Sequence, residues 1–379
     1  MYQTQLKDGN VVISELPYEL IKNNIQFHRA TNCTIFLAPN ANLAEGMIHV
    51  YGDNAAVFIG NTYLRRAAIH AHAQSCVYIG NRVYMNGHGE PQSIRATGTA
   101  HVIIGNHCLC SMGINITTTD THLIYDRASR RRVNKEESIF IGDHVWLGRE
   151  VKVYKKARIS SGCMCAAGGI VSGGLYPANS LLAGLPARIK KEGSIFWLSP
   201  CSYDLNEAEL GHYTALDEAD AEYRNACFEP TQEEMLHPAD LDAALRARSH
   251  SRDKVAFLYD KLWCNNAHNR FAWEDNTEST GGSIPACDDA FSRLKLTHTQ
   301  HTKDTTAACE ASQLQPEDMA ALLCAGSIRW KCFYYGLLSI FSLGAKRRYY
   351  RARKREINKW RSRIATIQAA FQAKLSGES

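Results

Sequence analysis

A period of six residues, running from Ile139 to Trp197, constrains this chain more than any other feature. An apolar side chain returns at Ile141, Leu147, Val153, Ile159, Cys165 and Val171, and a glycine or other small residue often follows it. No α-helix has this period, and a simple alternating strand has a period of two. A six-residue repeat predicts a β-solenoid, in which each repeat is one short strand and a turn and three repeats make a triangular coil. The recurrent apolar side chain points into the prism. Stacked coils bury it in a column that no single repeat could bury alone. The small residue after it lets the backbone turn the corner without a Cβ clash.

A looser form of the pattern extends upstream. Ile48 to Gly60, Ile69 to Gly80 and Ile94 to Gly105 each open with isoleucine and a polar residue and close on a hydrophobic triplet before glycine. Ile25 to Leu37 is a weaker first copy. An Ile-Gly-Asn/Asp corner recurs at Ile59, Ile79, Ile104 and Ile141, with a wider last gap of the kind that insertions at corners produce. The solenoid is therefore expected over residues 24–197, with 1–23 as a lead-in that caps its open end.

Three segments make the pattern specific. Ile141-Gly-Asp-His-Val-Trp-Leu-Gly, Ala166-Ala-Gly-Gly-Ile-Val and Ala183-Gly-Leu-Pro-Ala-Arg together resemble the hexapeptide-repeat acyltransferases. Upstream, Thr118-Thr-Asp-Thr-His-Leu-Ile-Tyr-Asp126 is similar to the Ser-Asp-x-His-x-Ile-Tyr-Asp segment of sugar and capsular-polysaccharide O-acetyltransferases. The resemblance covers roughly the first half of the chain. It implies a left-handed parallel β-helix, acetyl-CoA as acyl donor, and a homotrimer with donor sites between adjacent solenoids.

His122 is the candidate catalytic residue. It stands six residues after Ile116, in a register that elsewhere holds an apolar side chain. A buried imidazole there needs hydrogen-bond partners on both nitrogens. By resemblance it is the general base that takes the proton of a sugar hydroxyl attacking the acetyl thioester. An ordinary pKa of about 6.5 suits that task. Asp120 or Asp126 is expected to orient the ring. The resemblance also implies donor contacts from Trp146, Arg149, Ala167, Gly168, Ser172, Arg188 and Lys191. Small residues at Ala167 and Gly168 let a pantetheine arm approach the backbone. Basic residues after the last coil meet phosphates. The sequence departs from the family in having alanine at 166, where the first glycine of Gly-Ala-Gly is usual, and Ser172-Gly-Gly where Thr-Lys is common.

Cys163 and Cys165 lie two apart with no second pair, so packing rather than metal binding is the reading, and no metal is expected. Thirteen cysteines, an odd number scattered over repeats and helices, point to reduced thiols and a cytoplasmic setting. The first residues show no signal-peptide pattern, and no apolar run reaches the ~18–20 residues that span a bilayer. The expected function is transfer of acetyl from acetyl-CoA to a sugar hydroxyl of a capsular or lipopolysaccharide glycan or its precursor. One rival is an N-acetyltransferase of a nucleotide-linked amino sugar, a class that usually carries a nucleotide-binding N-terminal domain for which residues 1–23 are too short. The other is an inactive scaffold, against which the presence of both His122 and Trp146 speaks.

The charged run from Arg127 to Ser138, with Arg130, Arg131 and Arg132 at its centre, reads equally as a solvated excursion or as a loop that attracts an anionic acceptor. Residues 198–263 read as a helical linker, with a long amphipathic helical pattern from Thr231 through Leu262 and Thr231 with Glu234 as its candidate capping box. Residues 264–315 are polar and aperiodic and are expected to be flexible. Residues 316–379 read as a basic helical tail. In it an apolar stretch, Phe333 to Leu343, precedes a basic one, Lys346 to Arg363. That order suits peripheral attachment to the anionic inner face of a membrane. The alternative is packing on the helices of 231–262. With an acyltransferase solenoid, nucleic acid is not the expected partner.

Overall fold

The computed structural model describes residues 1–231, 233, 235–274 and the backbone of 298–301. The chain winds as a parallel β-solenoid with three faces. In the order each coil visits them, the first face runs from Val11–Ser14 to Gly174–Tyr176, the second from Tyr63–Leu64 to Ala187–Lys191, and the third from Ile25–Phe27 to Ile170–Val171.

The six-residue column is the core of this prism. Ile141, Leu147 and Val153 enter from the three faces of one coil, and Ile159, Cys165 and Val171 sit directly below them in register. All six are buried. Burial of each large aliphatic side chain contributes about 1.5–3 kcal/mol, so the stack as a whole holds the coils in register. The looser upstream copies continue it: Ile48, Ile69, Ile94 and Ile116 form one buried ladder on the third face. Cys163 and Cys165 belong to the same core cluster.

The Ile-Gly-Asn/Asp corners form a ladder of their own between the first and second faces. The backbone N–H of Asn61 donates to Asn81 Oδ1 at 2.9 Å, and that of Asn81 to Asn106 Oδ1 at 2.7 Å. Asn106 donates likewise to Asp143, and Asp143 to Ser161 Oγ at 3.0 Å. Glycine is required because the coils approach closely here. A Cβ on Gly105 would lie 2.5 Å from Asp143 Oδ1 and 2.6 Å from the Gly142 carbonyl carbon.

At one end Val11–Ser14 starts the first face beside Thr34–Leu37, with Tyr2–Gln5 antiparallel to it. Ile21 packs into the core at this end. The backbone of 298–301 pairs in parallel with Tyr2–Gln5.

The C-terminal extension is not a simple appendage. Outward side chains of the first face, Phe36, Phe58, Tyr78, Ile103 and Phe140, are all buried, because helices Pro238–Arg246 and Ser251–Leu258 and the turns that follow lie across them. Two expectations change. The helix read from Thr231 begins at Pro238, with proline in its first turn where no N–H is needed; Glu234, the partner of Thr231 in the expected capping box, lies outside the described residues. Within 264–315, read as flexible, residues 270–273 are instead anchored. Arg270 is fully buried, its Nε and Nη2 donate to Asp143 at 2.8 and 2.9 Å, and its Nη1 donates to the carbonyls of Leu262 and Asn265. Phe271 and Trp273 pack on the same cluster. A buried guanidinium is tolerated because fork geometry and two carbonyls satisfy it. Among the described residues no helix is long and apolar enough to cross a membrane. The basic tail lies outside the described residues.

Candidate active site

The His122 segment is a corner excursion between the third and first faces. It leaves after Asn115–Thr117 and rejoins at Ile139–Ile141. A small hairpin closes it: Tyr125 pairs antiparallel with Arg132, and the Val133 N–H donates to the Ile124 carbonyl at 2.9 Å. Asp126 makes the turn, its Oδ1 accepting the Ser129 N–H at 2.7 Å. Buried Asn134 clasps the two arms. Its Oδ1 accepts the Ile124 N–H at 2.8 Å and its Nδ2 donates to the His122 carbonyl at 2.7 Å. The base of the excursion is tied to the extension, where Ser138 Oγ donates to Asp242 and accepts the His101 N–H at 2.8 Å.

His122 is consequently exposed, not buried as its spacing from Ile116 suggested. The chain departs from the coil at Thr118, so the six-residue register stops applying before it reaches 122. The backbone of His122 is nevertheless fixed, and Thr121 before it holds a left-handed φ of 71°, an uncommon and costly state for a β-branched residue. The imidazole makes no hydrogen bond within the described residues. Neither aspartate reaches it. Asp120 bonds to Lys155, whose ammonium holds that carboxyl below the usual range. Asp126 is likewise lowered by the Ser129 N–H it accepts. In this chain both shape the loop.

Beside the loop, an open groove of about 400 Å³ lies on the third face. Ser93, Arg95, Asn115, Thr117, Asp120 and Tyr154 line it. Arg95, Thr117 and Tyr154 are register partners on three successive coils, so one outward row of the sheet forms the floor. Sequence reading missed Arg95 and Tyr154, although stepping from Ile94 and Val153 by one residue marks both as outward.

The expected donor residues occupy a different part of the prism. Trp146 stands on the second face, half-buried, its ring 5.8 Å from that of Trp197. Trp197 in turn stacks on His144 at 4.1 Å and donates to its carbonyl at 2.8 Å. The Trp146 indole N–H is buried with no acceptor among the described residues. Arg149, Ala167 and Gly168 share the corner between the second and third faces. The Gly168 N–H donates to the Arg149 carbonyl at 2.7 Å, and Gly168 opens onto free space. The Arg149 side chain pairs with Glu90 at 2.9 Å. Arg188 and Lys191 are exposed on Ala187–Lys191, the antiparallel strand that ends the second face, with Arg188 opposite Ala183 and near that corner. Ser172 lies away from them, on the corner that also carries the His122 loop; its carbonyl accepts the Tyr176 hydroxyl at 2.8 Å. A single chain thus brings the His122 loop to the groove through Asp120 and Thr121 and leaves Trp146, Arg149, Ala167 and Gly168 on another edge.

No protein-family model matches the chain. A polysialic acid O-acetyltransferase of Neisseria meningitidis is 29% identical over 125 residues, which are 33% of this chain and 56% of that protein. A polysialic acid O-acetyltransferase of Escherichia coli O1:K1 / APEC is 31% identical over 101 residues, 27% of this chain and 32% of that protein. The chain resembles the hexapeptide-repeat acyltransferases. It spans about half or less of the length of these curated relatives. The crystal structure of the polySia-specific acetyltransferase NeuO aligns at 25% identity over 57% of this chain and 93% of that one, with a TM-score of 0.44.

Proposed function

We propose that the protein is an O-acetyltransferase that moves acetyl from acetyl-CoA to a hydroxyl of a surface glycan, with His122 as general base. The observation that carries this reading is the loop itself. A histidine whose backbone is clasped by Asn134 carries a ring without internal partners, and it directly follows Thr121, which with Asp120 lines a polar groove. The exposed ring is left free by the described residues and is therefore available to a substrate hydroxyl. The relatives named above act on polysialic acid, which supports a glycan acceptor.

In this mechanism the groove holds the sugar and His122 accepts the hydroxyl proton as its oxygen attacks the thioester carbonyl. The C–O bond forms, the C–S bond breaks, and the imidazolium returns the proton to the departing thiolate. No covalent enzyme intermediate is needed, since the two substrates react directly in a ternary complex. The donor residues fit their role chemically: the unmet Trp146 N–H can serve a donor carbonyl, the open Gly168 corner admits an extended arm, and Arg188 and Lys191 suit phosphates. Because these residues lie on another edge from His122, the complete site takes one edge from each of two adjacent copies, which supports a homotrimer. The test is incubation of pure protein with labelled acetyl-CoA and a panel of capsular and lipopolysaccharide glycans. The expected product carries label as an ester, released by mild base. Base-stable label on an amino sugar would favour N-acetyl transfer instead.

A further inference from the structure

The three faces of the prism differ in chemistry. Helices of the same chain cover the first. The second presents an apolar outward row, Tyr63, Tyr84, Leu109, Trp146, Met164 and Leu181 in continuous register. That is a surface suited to another protein copy. The third is unlike both. Its central outward row reads Gln26, His49, His70, Arg95, Thr117 and Tyr154. Beside it His28, Tyr51 and His72 follow the ends of their strands. No carboxylate stands on either row.

The rings of this face form a stack. His28 lies on Tyr51 at 4.4 Å and 6°, Tyr51 on His72 at 4.9 Å, and His49 on His70 at 5.1 Å and 11°. His28 Nε2 and His49 Nδ1 are 3.2 Å apart, within hydrogen-bonding reach. Tyr51 is 39% exposed, so the stack presents ring faces and edges to solvent. Burial pushes the His49, His70 and His72 imidazoles toward neutrality; Arg95 adds to this at His70 and His72 and neighbouring histidines at His49 and His70, with His70 lowered to about 4. Uncharged rings suit the apolar faces of sugars. One coil further on, Arg95 enters the groove with no acidic partner among the described residues. The exposed Arg127, Arg130 and Arg131 of the His122 loop likewise make no ion pair there.

We propose that the third face is a track for an extended acidic glycan: the Arg95 groove seats the sugar to be acetylated, and the His28–His49–Tyr51–His70–His72 stack holds the sugars beyond it. The inference rests on the acetyltransferase reading and adds the acceptor's length and charge to it. From His49 to Tyr154 the row spans four coil steps of ~4.8 Å, long enough for several sugars. Polar and aromatic groups without large aliphatic side chains fit a hydrated polymer better than a protein partner. Uncompensated guanidinium groups fit acid groups along it.

The test measures binding of polysialic acid of defined lengths to the full chain without acetyl-CoA, for wild type and for the variant His49→Ala/Tyr51→Ala. Light scattering of both proteins runs alongside. Wild type should bind longer chains more tightly than dimers or trimers, and salt should weaken that binding. The variant should lose about tenfold or more of its affinity for long chains while short-acceptor affinity stays the same. Equal affinity for all lengths in wild type, or an equal loss across lengths in the variant, would overturn the track. A changed oligomeric state in the variant would overturn it too, by showing this face to be a contact between copies. If wild type binds the polymer as described but never acetylates it, the track stands and the transferase reading fails.

Discussion

Arg270 is the residue on which attachment of the extension to the solenoid should depend most. Its side chain is fully buried, and it meets Asp143, itself 9% exposed, through two hydrogen bonds. Replacing Arg270 with Met removes both bonds and leaves a buried carboxylate supported mainly by the Asn106 N–H. Breaking one partner of a buried pair costs about 3–5 kcal/mol, because the other charge is left uncompensated. In a unit of this size each kcal/mol lowers the melting temperature by about 2–4 °C. A second change sharpens the test. Asp143→Asn in the Arg270→Met background recreates the neutral corner that the chain already uses at Asn61, Asn81 and Asn106, and it should recover most of the loss. The assay is thermal and urea unfolding followed by tryptophan fluorescence, since Trp263 and Trp273 both pack in the interface between extension and first face. A single variant that loses less than about 1 kcal/mol, or a double variant no more stable than the single, would refute the assignment of the clamp.

Other consequences follow from the same features. The apolar row on the second face should hold copies together, so Trp146→Glu with Tyr84→Glu is expected to shift light scattering from trimer to monomer and to abolish transfer; full activity in a monomer would remove the two-copy site. Burial, the Arg95 charge and the neighbouring histidines hold the His70 imidazole near pKa 4 against an ordinary 6.5. The unfolded chain therefore takes up a proton between those values that the folded chain refuses, and stability should fall as pH drops through that window. His70→Gln should flatten part of that slope, and an unchanged slope would assign the acid sensitivity elsewhere. For the tail we keep the membrane proposal: deletion of residues 333–379 should abolish binding to anionic vesicles at low salt and leave transfer to a soluble glycan intact. Failure of the full chain to bind such vesicles would end that proposal.

The core was legible because six-residue spacing states directly which side chains point inward, and Ile141 to Val171 fall where it says. The same arithmetic misled at His122, since an excursion that starts at Thr118 takes the chain out of register without any local mark beyond charge. The covered face left a signal that the column obscured. In strands such as Ala56–Ile59 and Cys76–Ile79 every residue is apolar and buried, whereas Gln92–Ala96 alternates. Continuous apolar strands indicate a sheet covered on both sides. Arg270 left no such trace, because a single cation in a polar stretch gains its meaning only from Asp143, 127 residues away. Assignment of His122, Trp146 and Gly168 to one site was a matter of resemblance; their separation on two prism edges becomes visible only when the coils are closed.

The claim on which the rest depends is that His122 supplies the base. Steady-state transfer from acetyl-CoA to an acetylatable glycan, measured for wild type and His122→Ala together with acetyl-CoA affinity by calorimetry, tests it most directly. Loss of a general base should lower turnover by roughly a hundredfold or more and leave donor affinity nearly unchanged. Turnover close to wild type in the variant would contradict the account.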